Sequence, residues 1–368
     1  MRSNSCFHSS AARQPDRRFS SAALLAAGLL LGPPAARAAD PGAGGGEHGG
    51  EINLEAPVEP EQELAPWRGS EFSYRNVATV SGMDRSAELT WNPYWAMEFG
   101  FKFRWYFDEH WFAGARLEVT REVTEADDTT YAGEAWLQDL LLSGGGARFV
   151  TIPGVGIDLS ADVTLTLPTS KVARARTLYL GIGPNVRLSR SWELGGDWQV
   201  GYHVRFNSYF HEATTAERET PLIPTCASSG AGCEAFVNTG VRNAQWRVQH
   251  GVDLSYQPLE WLGFSAAFEH IFDWLYPIEA DDPRLSWENE SPTDLRHASA
   301  FEVEATFAPI PALEIGIGYS TISPQLAPDS TYYNPFYNRY TTLYLDLRLE
   351  IEGLVDQLTE AFEGGAAT

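Results

Sequence analysis

Long apolar runs are the first thing that this sequence lacks, although 43% of its 368 residues are hydrophobic. A membrane-spanning helix needs roughly 20 consecutive apolar residues, and no segment of the chain supplies them. The mean hydropathy of -0.25 is also well below that of a helical membrane protein. These two observations exclude a bundle of membrane-spanning helices.

Basic residues are scarce as well. The chain has 26 lysines and arginines against 49 aspartates and glutamates, which gives a formal net charge of -23. A nucleic-acid backbone is bound by surfaces rich in Lys and Arg. We therefore exclude nucleic acid as a partner, and no motif in the chain leads us to expect a cofactor or a metal ion.

Cysteine is equally scarce, with three residues in the chain. Cys6 precedes the apolar part of the N-terminal segment, so it does not have the position of a lipoprotein cysteine. Cys226 and Cys233 flank a flexible stretch, and in an oxidising compartment a local disulfide between them would tie a loop. The alternative is metal binding, but two thiols without a nearby histidine pair make a poor zinc site.

The N-terminus has the features of an export signal. A basic start is followed by a short apolar segment at residues 22–32, and Ala36 and Ala38 fit the small-x-small cleavage pattern. We expect residues 1–38 to be a cleaved signal peptide. Residues 39–69 are rich in Gly, Pro, Glu and Ala without periodicity, which predicts a disordered periplasmic linker.

From about residue 70 onward the chain contains a regular alternation of apolar and polar residues. Between residues 94 and 107, for example, bulky apolar side chains occupy every second position. Successive side chains of a strand point to opposite faces, so each such segment has one apolar and one polar face. Twelve segments of this kind are joined by connections that alternate between short and long, which is typical of outer-membrane barrels.

The predicted fold class is therefore all-β: a single transmembrane antiparallel up-and-down β-barrel of about twelve strands, formed by residues 70–352. An even strand count and short periplasmic turns would leave both mature termini in the periplasm. A short periplasmic tail follows at residues 353–368. Its apolar residues are spaced to form one face of an amphipathic helix, and they are Leu354, Val355, Leu358 and Phe362.

Tryptophan supports the same architecture, because amphipathic rings settle at the two membrane–water interfaces. Tryptophans fall near the ends of the predicted strands, and we assign them to two aromatic girdles. These are Trp95, Trp105, Trp111, Trp136, Trp198, Trp261 and Trp274. A secreted soluble β-protein is the alternative, but its strands usually have five or six residues, whereas these have about a dozen.

In general pattern the chain resembles the bacterial outer-membrane β-barrel proteins. A narrower likeness covers residues 139–171, less than a tenth of the chain. This segment begins with Asp139-Leu140-Leu141-Leu142, passes through a glycine-rich stretch, a tight turn and an alternating strand, and ends with Leu167-Pro168-Thr169-Ser170. It resembles channel-like barrels encoded with aromatic-degradation pathways, which have Pro-Thr-Gly where this chain has Pro-Thr-Ser.

The resemblance implies a transport barrel in the bacterial outer membrane. Its partners would be outer-membrane lipids and lipopolysaccharide, the barrel-insertion machinery and a small-molecule solute. The C-terminus departs from the family pattern, because many such barrels end on an aromatic residue that closes the last strand. Here a tail follows Glu352 instead.

The polar face of the strands is the candidate lining of a pore. The charged residues that we place there are Lys102, Arg104, Arg116, Glu118, Asp158, Arg205, Arg247, Asp253, Glu269, Glu302 and Arg348. Acids outnumber bases on the whole face, which favours cations or polar solutes in an open pore. Alternatively, the charges pair across a narrow lumen and fill it.

Two function classes remain open beside a porin-like or passive transport channel for small polar or aromatic solutes. One is a structural or adhesion barrel with a filled lumen. The other is a lipid hydrolase with His270, His297 and Ser299 on its outer wall, where a base and a nucleophile would suit acyl transfer. The residues after Ser299 lack the Ser-Asn-Gly continuation of that enzyme family, so we expect no enzyme activity. The aromatic loop 332–337 would either enter the pore mouth or pack against neighbouring loops.

Overall fold

The computed structural model describes residues 64–80, 93–124, 132–219, 236–277, 294–327 and 330–365. The expected signal peptide and the predicted disulfide of Cys226 and Cys233 lie outside these ranges. The elements are β1 (Glu71–Thr79), β2 (Trp95–Tyr106), β3 (Trp111–Glu122), β4 (Ala135–Leu137), β5 (Leu140–Ile152), β6 (Ile157–Leu167), α1 (Lys171–Ala175), β7 (Leu178–Glu193), β8 (Asp197–His211), β9 (Thr215–Glu219), β10 (Phe236–Arg242), β11 (Ala244–Leu259), β12 (Leu262–Leu275), β13 (Leu295–Ile310), β14 (Leu313–Pro324), β15 (Thr342–Glu350) and α2 (Ile351–Gly365).

Twelve strands form one closed antiparallel barrel, as the sequence predicted. Closure comes from β1, which pairs with β2 on one side and with β15 on the other, from Glu71 opposite Glu350 to Thr79 opposite Thr342. The short β4 and the long β5 both pair with β3, so they act as one strand interrupted at residues 138–139. With β4 and β5 counted as one, each of the twelve strands has a neighbour on both sides within the described residues.

The connections alternate in length around the barrel. At one end, which we call the short-turn end, the chain reverses within residues 107–110, 153–156, 194–196, 260–261 and 311–312. β1 starts and β15 finishes at this same end. The opposite, long-loop end carries the longer connections. A two-stranded sheet of β9 and β10, which the sequence did not predict, lies within one of them.

The turn between β2 and β3 shows how a short connection is fixed. Asp108 Oδ1 accepts hydrogen bonds from the backbone N–H groups of His110 and Trp111, both at 2.8 Å. These donors hold the pKa of the Asp108 carboxyl below its ordinary value, because they stabilise its charged form. An aspartate that bonds to the backbone two residues ahead is a common turn former.

Glycine permits a close approach of two backbones in the wall. A Cβ added at Gly145 of β5 would lie 2.2 Å from the carbonyl oxygen of Ala161 on β6. The pairing of these two strands then shifts between Gly146 and Val150, and Arg148 in between has a φ of 43°. This register shift is a β-bulge or similar irregularity next to the glycine run.

The two faces of the wall differ in the way that the alternation predicted. Bulky apolar side chains of the strands are exposed on the outside, as with Phe99 at 49%. The intervening polar side chains, such as Glu98 and Glu118, are buried inside. In water, such a band of apolar surface would be unfavourable; a bilayer covers it. Within the described residues, no helix is long and apolar enough to cross a membrane.

The aromatic segment of the last long connection packs against the outer wall. The ring of Phe336 lies 4.9 Å from that of Phe301 on β13 and 5.9 Å from that of Phe268 on β12, between centroids. Thr321 on β14 is fully buried beneath it, and its Oγ1 donates to the Phe336 carbonyl oxygen at 3.3 Å. The sequence predicted this loop to lie either in the pore mouth or against neighbouring loops. Its position on the outer wall was not predicted.

Two helices complete the structure. α1 is a single turn between β6 and β7, and α2 follows β15 directly at the short-turn end. In α2, the apolar positions Leu358 and Phe362 are exposed. The tail is thus helical up to Gly365, and the helix starts at Ile351, two residues before the predicted tail of residues 353–368.

An arginine placed on the outer face should be tolerated only near the rim. Ile317, halfway along β14 and 65% exposed, is an outward position. We expect Ile317→Arg to lower the free energy of unfolding by about 2–4 kcal/mol, because a charge at the bilayer midplane is poorly solvated. The control Leu349→Arg, near the short-turn end of β15, should cost about 0–1 kcal/mol. Guanidinium unfolding in lipid vesicles measures both, and equal losses would contradict the membrane placement.

Candidate functional site in the barrel lumen

The charged residues predicted to line a pore all lie at inward positions of their strands. Arg205, Asp253 and Glu269 are buried within the lumen. Asp158, by contrast, lies next to the short-turn end, where Thr151 donates to it at 2.6 Å. The inward set is therefore spread along the whole lumen, and it forms several separate groups.

One group lies on β1, β13, β14 and β15, and we call it the acidic wall. Arg75 donates to Asp346 Oδ2 through Nη2 at 2.6 Å and through Nε at 3.0 Å. Arg348 donates to Glu304 Oε1 at 2.6 Å and also pairs with Glu314. These pairs share a lattice of charge-assisted hydrogen bonds, which are stronger than neutral ones. Two arginines are thus shared among four acids of this wall, Glu302, Glu304, Glu314 and Asp346, and the wall keeps an excess of carboxylates.

A second group lies on four neighbouring strands of the wall, β7, β8, β11 and β12. Arg187 Nη2 donates to Asp253 Oδ2 at 2.5 Å, and His203 Nε2 lies 3.2 Å from Glu269 Oε1. His203 Nδ1 is 3.9 Å from Asp253 Oδ1, so the two pairs are adjacent. Gly201 makes room for them, because a Cβ there would lie 2.5 Å from Asp253 Oδ1 and 2.7 Å from Arg187 Nη2.

Between the groups lies a cavity of ≈ 100 Å³ inside the barrel. Basic side chains dominate its lining: Lys102, Arg104, Arg116, Arg187 and Arg205. The carboxylate in the lining is Asp162, which accepts hydrogen bonds from Asn185 at 2.9 Å and from Thr164 at 3.3 Å. The charges that the sequence placed on one polar face are thus sorted into an acidic wall and a basic cavity.

The long-loop end of the lumen is narrowed by α1. Its N-cap, Ser170, accepts a hydrogen bond from the backbone N–H of Ala173 at 2.9 Å. Lys171, which is buried, pairs with Glu134 at 2.9 Å and lies over the ring of Trp136 at 4.9 Å. Sequence reasoning missed this constriction, because one helical turn has no periodicity to detect.

The backbone around α1 is held by the connection before β5. Asp139 Oδ1 accepts from the backbone N–H of Ser170 at 3.0 Å, and Thr169 donates to the Gln138 carbonyl oxygen at 2.7 Å. Burial raises the pKa of the Asp139 carboxyl, although these hydrogen bonds oppose the shift. Asp139 and Ser170 lie at the two ends of the segment whose sequence resembles channel-like barrels.

The aromatic girdles have one exception. Trp105, Trp111 and Trp261 are exposed near the short-turn end, where Trp198 stacks between Trp192 and Tyr256. Trp95, Trp246 and Trp274 are exposed near the long-loop end. Trp136 is 7% exposed and lies opposite Thr120, an inward residue, so it belongs to the constriction and not to the outer girdle.

The residues considered for lipid hydrolysis lie on the outer wall. His270 of β12 faces Ser299 of β13, and His297 faces Phe272 in the same pairing. Both histidine rings contact the Phe272 ring. In the described part of the chain, no hydrogen bond joins Ser299 to either histidine. The described residues also contain no group of three or more His, Cys, Asp or Glu placed to hold a metal ion.

The closed barrel, its exposed apolar band and its polar lumen define a transmembrane β-barrel of the bacterial outer-membrane type. No protein-family model matches the sequence, and no curated protein matches it significantly. The comparison with solved structures does find barrels of related shape.

Among them is the COG4313 outer membrane channel from Pseudomonas putida F1, with a TM-score of 0.46 and 11% identity over 80% of this chain and 100% of that one. The NanC porin has a TM-score of 0.39 and 11% identity, and covers 76% of this chain and 98% of its own. The KdgM porin gives 0.37 and 8%, with the same coverage. These values are too low to argue from, and the class rests on the geometry above.

Filling the space at Gly201 should disturb the central pairs. We expect Gly201→Ala to destabilise the barrel by about 1–3 kcal/mol, because the methyl group overlaps the Arg187–Asp253 pair. The matched control is Gly144→Ala, whose added Cβ would meet its nearest neighbour, the Phe112 carbonyl oxygen, at 3.6 Å. Guanidinium unfolding of both variants in the same detergent compares them. The packing described here would be contradicted if the two variants were equally stable.

Proposed function

We propose that this chain is a narrow, solute-selective channel of the outer membrane, with its short-turn end in the periplasm and its long-loop end outside. The observation that carries the proposal is the polar cavity inside the closed barrel. A barrel that served only as an anchor would need no unfilled, charged space between its walls. On this proposal the apolar band contacts outer-membrane lipids and lipopolysaccharide, and the insertion machinery delivers the chain to the membrane.

The groups of charged residues above and below the cavity make the proposed path narrow. The acidic wall and the Arg187–Asp253 pair both project into the lumen, and α1 reduces the opening at the long-loop end. A large open pore would leave inward side chains exposed to water, and here most are buried. The proposed solutes are therefore small and polar.

A barrel with a filled lumen is the second candidate, and one observation favours it. Gln249, at 1% exposure, and Asp253, at 3%, are as buried as residues of a solid core. In this version the charged pairs are structural, and any function resides in the long loops. The two candidates differ in whether ions cross the barrel.

Planar-bilayer recording of the purified protein separates them. We expect small, discrete conductance steps for the natural sequence. The double variant Arg187→Ala with Asp253→Ala removes two paired side chains that project into the lumen, so its steps should be about twofold larger or more. The control Val186→Ala changes the lipid-facing neighbour of Arg187 and should leave the conductance unchanged. If neither the natural protein nor the double variant conducts at any voltage, the channel proposal is wrong.

A further inference from the structure

We propose that the lumenal cavity binds a small oxyanion, a carboxylate or phosphate group, with the guanidinium of Arg205 as its principal contact. The inference names the class of solute that the proposed channel would carry. It rests on the proposed function in one respect, which is that the bound ion is also the solute that crosses the barrel. It reverses the expectation, drawn from the excess of inward acids, that the lumen favours cations.

The first observation is that Arg205 has no partner in the described part of the chain. It is 6% exposed, its Nε makes no hydrogen bond, and it forms no ion pair with any described residue. Its neighbours in the strand pairing are the neutral amides Asn185 and Gln249. A buried charge without a partner is strongly unfavourable unless something else neutralises it.

Three other lumenal arginines differ from Arg205 in having a carboxylate partner. Arg75, Arg247 and Arg348 each lie 2.6 Å from a carboxylate oxygen, of Asp346, Asp273 and Glu304 respectively. The barrel can therefore supply acids for its buried arginines, and it does so on either side of the cavity. At Arg205 alone among these four, within the described residues, that acid is missing, as it would be if the ligand provided the negative charge.

The second observation is the charge around the cavity. Lys102, Arg104, Arg116 and Arg187 share the lining with Arg205, so five basic side chains surround the space. The single lining carboxylate, Asp162, is already satisfied by Asn185 and Thr164. Lys102, Arg116 and Arg187 also pair with carboxylates outside the lining, which are Glu71, Glu118 and Asp253. Arg205 forms no such pair with a described residue, so its positive charge is left to attract an anion between low-dielectric walls.

The third observation concerns size and hydrogen bonding. At ≈ 100 Å³ the cavity is well below the range typical of drug-sized ligands, so it suits a compact ion. A guanidinium presents a planar fork of N–H donors, which matches the oxygens of carboxylates and phosphates. Hydroxyl groups of Ser143 and Ser160 also line the space and add further donors.

A site of this kind leads to opposite expectations for stability and binding. Removing an unpartnered buried charge should leave the barrel at least as stable, while ligand binding is lost. A structural arginine would show the reverse, because its removal would break contacts that hold the wall together. The pair of measurements therefore distinguishes a binding role from a structural one.

The test is isothermal titration calorimetry on the full-length purified chain in detergent at low ionic strength, with acetate and with inorganic phosphate as separate ligands. We expect saturable binding of at least one of them. Arg205→Met should weaken it by about tenfold to a hundredfold, which corresponds to loss of a charge-assisted hydrogen bond. Arg205→Lys, which keeps the charge but not the fork, should bind with intermediate affinity. The control Arg121→Gln removes an exposed arginine of β3 outside the lumen and should bind normally.

The proposal is overturned if neither anion binds, or if Arg205→Met and the natural protein bind equally well. It is also overturned if Arg205→Met is much less stable than the natural protein while Arg205→Lys binds with full affinity. Bilayer recording on the same preparation separates this result from the channel proposal. Conduction without anion binding would reject only the oxyanion site, and anion binding without conduction would reject only the channel.

Discussion

Pairing between the first and last strands is the interaction on which the rest of this structure depends. Nine consecutive residues of β1 pair with β15, and this closes the sheet on itself. In a bilayer an unpaired backbone group has no water to bind, so an open sheet edge is not viable there. Once the sheet is closed, alternate residues must point into a lumen, and the chain has to accommodate their charge.

The charges inside are accommodated in two different ways. On the acidic wall and on β7, β11 and β12, arginines are matched to carboxylates at short distances. At the cavity, Arg205 forms no ion pair with a described residue, although it lies among four other basic side chains. The same alternation that makes the outside apolar therefore creates an inside in which charges must be paired or left at a cavity wall. The groups of paired charges and α1 keep that inside narrow.

The sequence could predict the barrel because the alternation of apolar and polar residues is visible within each single strand. The alternation along β15, with Leu343, Leu345 and Leu347 on one face, follows from a strand with one side in lipid. What it could not predict depends on distant residues meeting. The single turn of α1, the placement of Phe336 on the outer wall and the inward orientation of Trp136 are set by loop paths. The missing partner of Arg205 emerges only once three strands are in register.

Accessibility along β15 tests the account most directly. Single spin labels at positions 342–350, in a background with the native cysteines replaced by serine, would be measured by electron paramagnetic resonance in lipid vesicles. Collisions with oxygen, which dissolves in lipid, should be frequent at Leu343, Leu345 and Leu347. They should be rare at Tyr344, Asp346 and Arg348, which face the lumen. The opposite phase, or no period of two, would contradict a barrel with lipid outside and a polar lumen within.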